Sequence, residues 1–99
     1  MIIYSINTII SDSIIKVWEY WMRIKHIPDV MATKIFKSHN FLKDVSQHNK
    51  YIIQYTLENF SCYLKYKNSF VSKIQDEHFE KLGIHYLAWK NILINENLN

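Results

Sequence analysis

The spacing of apolar side chains switches period several times along these 99 residues, and the order of the switches constrains the fold more than any other feature. From Ile2 to Ile10, β-branched and aromatic residues alternate, with Ile2, Tyr4, Ile6, Thr8 and Ile10 on one side and Ile3, Ser5, Asn7 and Ile9 on the other. That is a strand. Ser11, Asp12 and Ser13 then offer N-cap side chains, and Ile14, Val17, Trp18, Trp21, Met22 and Lys25 recur at helical spacing. A proline pushes the residue before it out of the α region, so Pro28 predicts that this helix ends near His26, with one further turn over Asp29 to Thr33.

Period two returns over Ile35 to Val45, a polar connection follows from Ser46 to Lys50, and Tyr51 to Leu57 reads as the hairpin partner. Asn59 can cap a second, longer helix from Phe60 to about Lys81, with Tyr63, Tyr66 or Lys67, Phe70, Val71, Ile74 and His78 along one stripe. Gly83 sits where a left-handed helix end belongs, His85 to Asn95 reads as a fourth strand, and Glu96 to Asn99 is a polar tail. The order βαββαβ predicts an α+β, ferredoxin-like single domain over 1–99, a four-stranded antiparallel sheet with two helices on one face. One Gly and one Pro leave no flexible linker, and 48% hydrophobic residues suffice for one core. No apolar run exceeds four residues, far below the roughly 20 of a membrane helix, so no membrane partner is expected. The lone Cys62 closes no intrachain disulfide, and the cytoplasm is the expected compartment.

In such a unit both crossovers put their helices on the same side, leaving the other sheet face uncovered. Here that face is predicted to mix Ile3, Ile9, Phe36, Leu42 and Ile52 with Ser5, Asn7, Ser38, Asn40, Gln54 and Thr56. Half apolar and half amide or hydroxyl, it suits a homodimer with the sheets face to face and a chamber between them. Nucleic acid is not an expected partner. The net charge is only +3, Arg23 is the single arginine, and the lysines are dispersed. Lys50, Tyr51 and Ile52 also lack the glycine of the third-strand RNA-binding motif.

The stretch WEYWMRIKHIPDVMATKIF at residues 18–36 resembles the signature of an uncharacterised bacterial domain-of-unknown-function family in the dimeric α/β-barrel superfamily. Trp18, Met22, His26, Ile27, Pro28, Val30, Ala32, Thr33 and Phe36 carry the resemblance, which continues through Gln54, Tyr55, the Tyr63 to Tyr66 helix and His78. It departs at Lys34, where the family often has Gly, and at Lys90, where many members have Arg. The resemblance implies a fold and a dimer, and no reaction, because the superfamily ranges from cofactor-independent monooxygenases and isomerases to proteins without known activity.

His26 is the catalytic candidate, because an imidazole beside a proline-fixed turn could face a barrel mouth and exchange a proton near neutral pH. Its plainer role is to cap the helix C-terminus. Asn7, Trp21, Met22, Thr33, Gln54 and His78 are the candidate ligand-binding residues, with Trp21 and Met22 serving first as core and His78 as a core or hinge histidine. Neither a metal nor a cofactor is expected. No two His fall at i, i+4, Cys62 has no companion, and one glycine cannot build a phosphate loop. Two further functions stand beside a small-molecule-binding dimer. One is a cofactor-independent monooxygenase or isomerase for a small apolar substrate, with His26 as proton shuttle and Gln54 and Asn7 orienting a carbonyl. The other is a pure protein-interaction module.

Overall fold

The structure, a computed structural model, describes residues 1–69 and 86–96. Strand β1 (Ile2–Ile10) is followed by a 3₁₀ turn (Asp12–Ile14), helix α1 (Ile15–Trp21), a π-helical turn (Met22–His26) and helix α2 (Ile27–Ala32). Strands β2 (Ser38–Lys43) and β3 (Lys50–Leu57), helix α3 (Phe60–Ser69) and strand β4 (Tyr86–Ile94) complete the described chain. The sheet runs β2-β3-β1-β4 with every neighbouring pair antiparallel. Its two central strands are β1 and β3, the most regular period-two runs of the sequence. Asn59 caps α3 as expected, its Oδ1 accepting from the Cys62 backbone N–H at 3.1 Å. The remainder of the helix expected to Lys81, the Gly83 end and His78 lie outside the described residues.

The expected helix end at Pro28 is corrected. Helical backbone passes from Asp12 to Ala32, because the π turn widens the coil just before the proline and lets the Ile27 N–H reach back to the Met22 carbonyl. Pro28 then sits in the first turn of α2, where a missing N–H costs little. His26 is therefore inside a continuous helical segment and caps no C-terminus. The chain leaves α2 through Lys34, whose φ of 62° lies in the left-handed region that glycine prefers.

Both helical segments pack on the sheet side carrying Tyr4, Thr8, Tyr51, Ile53 and Tyr55. Trp18, fully buried, meets Tyr51 at 4.9 Å and Phe41 at 5.7 Å between ring centroids. Tyr51 ties the layers together by donating its hydroxyl to Glu19 Oε2 at 2.7 Å. A second aromatic group joins Tyr4, Tyr55, Tyr66 and Phe36 under α3. Phe36, expected on the uncovered face, precedes β2 and turns into this core, 4.7 Å from Tyr66 and 4.9 Å from Tyr55. The β2 strand is shorter than Ile35 to Val45, so strand alternation does not govern Phe36.

Candidate functional site

Strand register arranges the uncovered face into rows that cross the sheet. Ser5 pairs with Gln54 of β3 and with Asn91 of β4, and Gln54 pairs in turn with Asn40 of β2. Asn40, Gln54, Ser5 and Asn91 thus form one uncharged polar row over all four strands, about 14 Å long at a strand spacing of roughly 4.8 Å. On one side runs the row Leu42, Ile52, Asn7 and Trp89, and on the other Ser38, Thr56, Ile3 and Leu93.

Ser5 is only 5% exposed although it faces outward, shielded by the longer Gln54 and Asn91 beside it. The apolar members are open to solvent: Leu42 and Trp89 are each 43% exposed, Leu93 41%, and Leu87, beyond Trp89 on the same face, 67%. Among the described residues, the side chains of Ser5, Asn7, Asn40, Gln54 and Asn91 have no hydrogen-bond partner. Charge enters this face at its end, where Lys50 Nζ lies 4.0 Å from Asp44 Oδ2 and 5.9 Å from the centroid of the Trp89 ring.

The sheet separates the expected site residues into two groups. Asn7 and Gln54 come together on the uncovered face in adjacent rows. His26, Trp21, Met22 and Thr33 belong to the helix layer. Met22 is 2% exposed within the core, and Thr33 closes α2 by donating its hydroxyl to the Val30 carbonyl at 2.8 Å. His26 is buried with its ring 4.9 Å from that of Trp21. Burial pulls its pKa down to about 4 against the opposing pull of the Asp29 carboxylate, so the imidazole is neutral at pH 7. His78 lies outside the described residues.

Ser5, Asn40, Asn91 and Trp89 share this face with Asn7 and Gln54 but are not among the expected site residues. The alternation of β4 carries the signal for Asn91 and Trp89, but only pairing with β1 aligns them with Ser5 and Asn7.

A shallow depression over the β2–β3 connection, lined by Lys43, Asp44, Val45, Ser46 and His48, touches none of the expected site residues. Among the described residues, no group of three or more His, Cys, Asp or Glu side chains is placed to hold a metal ion. No described helix is long and apolar enough to cross a membrane.

Element order, sheet order and helix placement define a ferredoxin-like fold, and solved structures share it across nearly their whole length. A dimeric ferredoxin-like protein from an uncultured marine organism superposes with a TM-score of 0.74 at 9% identity, covering 98% of this chain and 96% of the other. SnoaB from Streptomyces nogalater, a cofactor-independent oxygenase, gives 0.73 at 8% identity over 97% and 94%. An EthD family protein from Bacillus halodurans gives 0.69 at 11% identity over 96% and 99%. At such identities the likeness establishes the fold alone. The chain belongs to the family DUF4286, a domain of unknown function whose model matches residues 1–95. No curated protein matches the sequence.

Proposed function

We propose that this protein works as a homodimer, its two uncovered sheet faces packed together, and that it holds a small, largely apolar molecule between them. The observation that carries this reading is the make-up of that face, where exposed Leu42, Leu87, Trp89 and Leu93 surround amide and hydroxyl side chains that have no partner among the described residues. Contiguous exposed apolar surface is rare on monomers, and twofold pairing of identical patches is the commonest way to cover it. A standard interface takes about 800 Å² from each partner, which a four-stranded sheet face can supply. That a protein of the same fold is dimeric supports a dimer here.

Asn7 and Gln54 are the ligand contacts in this reading, while Trp21, Met22, Thr33 and His26 serve the helix layer. The enzymatic alternative, an oxygenase or isomerase with His26 as proton shuttle and Asn7 and Gln54 orienting a carbonyl, needs one substrate to reach both sides of the sheet. Their separation favours binding over that reaction. The face offers little to a phosphate backbone: among the described residues its one cation, Lys50, stands at its end beside Asp44. A single cysteine suits a cytoplasmic protein.

Sedimentation at micromolar concentration is expected to return twice the chain mass of 12.0 kDa, and Trp89→Asp is expected to shift the protein to monomer. A wild-type protein found only at 12.0 kDa rejects the proposal. Native mass spectrometry of the dimer after exposure to a metabolite extract then looks for the retained ligand.

A further inference from the structure

Given the dimer proposed above, we infer that the row Asn40, Gln54, Ser5 and Asn91 is the recognition element of the chamber and selects an uncharged ligand bearing a carbonyl or amide group. Three observations lead there. First, register places the four side chains in a line across all four strands, on the face that the proposed dimer buries. Second, among the described residues none of the four side chains is engaged in a hydrogen bond, so both donors and acceptors are free to meet a ligand. Left unmatched in a closed interface, such groups cost about 1 to 3 kcal/mol each, so the opposed face or a bound molecule must supply their partners. Third, Ser5 is the shortest member of the row and is only 5% exposed between Gln54 and Asn91, so the longer amides dominate the surface a ligand would meet.

The chemistry of the ligand follows from what the row contains. Amides and a hydroxyl donate to a carbonyl oxygen and accept from an amide N–H, and they neutralise no charge. A carboxylate buried here would lose its hydration with no cation in the row to replace it, since Lys50 stands at the end of the face beside Asp44. The apolar members of the flanking rows, Leu42, Ile52 and Trp89 on one side and Ile3 and Leu93 on the other, accept hydrocarbon. A compact molecule with one central carbonyl or amide and an aliphatic body fits; an acid of the same size does not.

A matched pair of probes tests this on the full-length protein: ε-caprolactam, a neutral cyclic amide, and hexanoate, a carboxylate with the same number of carbons. Side-chain amide resonances of Asn40, Gln54 and Asn91 are followed by nuclear magnetic resonance, with sedimentation run on the same samples. Caprolactam is expected to shift these resonances saturably, with a dissociation constant on the order of millimolar as suits so small a molecule. Hexanoate is expected to bind at least about tenfold more weakly. Gln54→Met keeps the length and apolar bulk of the side chain but removes its hydrogen-bonding group, and should weaken caprolactam about tenfold while the dimer persists.

A dimer whose row resonances do not respond, or that binds hexanoate as tightly as caprolactam, overturns this inference and leaves the dimer standing. A monomer overturns the reading beneath it and this inference together.

Discussion

His26 shows how far a single residue can depart from its local sequence context. Beside a proline, an imidazole reads as a helix cap or an exposed proton shuttle, yet the π turn carries it into the packed layer against Trp21. Its pKa of about 4 lies below the 6.5 of a free histidine, so on acidification the unfolded chain takes up a proton that the folded chain refuses. Stability is therefore fully present above pH 6.5 and is lost as pH falls towards 4. From pH 7 to pH 5, above the range where most carboxylates titrate, His26 alone accounts for a loss of about 2 kcal/mol. Urea denaturation at the two pH values, compared with His26→Leu, measures it; the variant should lose most of this dependence. Trp18 is the opposite case. Its helical spacing marks it as core, and it is fully buried against Tyr51 and Phe41.

Elements were legible where their period is strong and uninterrupted. β1 occupies Ile2–Ile10, and β3 and β4 lie within a residue of their expected bounds, because each alternates over eight or nine residues. The passage from the first helix to β2 was not legible. Pro28 disfavours α backbone by local sterics, but burial of Ile27 and Val30 holds α2 against the sheet, and a single π turn relieves the clash. At the far end of α2, Lys34 takes the left-handed conformation, which glycine adopts without penalty. That conformation costs a residue with a Cβ roughly 1 to 2 kcal/mol, partly offset because glycine has more freedom to lose on folding. Lys34→Gly should accordingly raise stability by about 0.5 to 1 kcal/mol. A higher urea midpoint with an unchanged denaturant slope is the expected signature, and a lower midpoint contradicts it.

At the scale of the whole molecule, the described chain presents one sheet face to its helices and the other to solvent. If that second face is completed by another copy, unfolding is coupled to dissociation and the thermal midpoint depends on protein concentration. A tenfold increase should raise the midpoint by roughly 3 °C for a dimer of this size, and calorimetry over a hundredfold range reads the trend directly. A midpoint independent of concentration is the behaviour of a monomer.

The sequence by itself determined the element order, the strand faces and the core, since periods of two and 3.6 are local properties of which residues share a side. It determined the mixed character of the uncovered face for the same reason. Only the tertiary structure decided which side chains stand next to one another on it. Asn91 is 86 residues from Ser5 and Asn40 is 14 from Gln54, and no local rule fixes their pairing. Register does so through the joint burial of Tyr4, Ile53, Tyr55 and Ile92 on the opposite face, because a slip of one residue would turn that apolar set towards solvent. The same packing decided the fate of His26 and Phe36, whose surroundings come from distant parts of the chain.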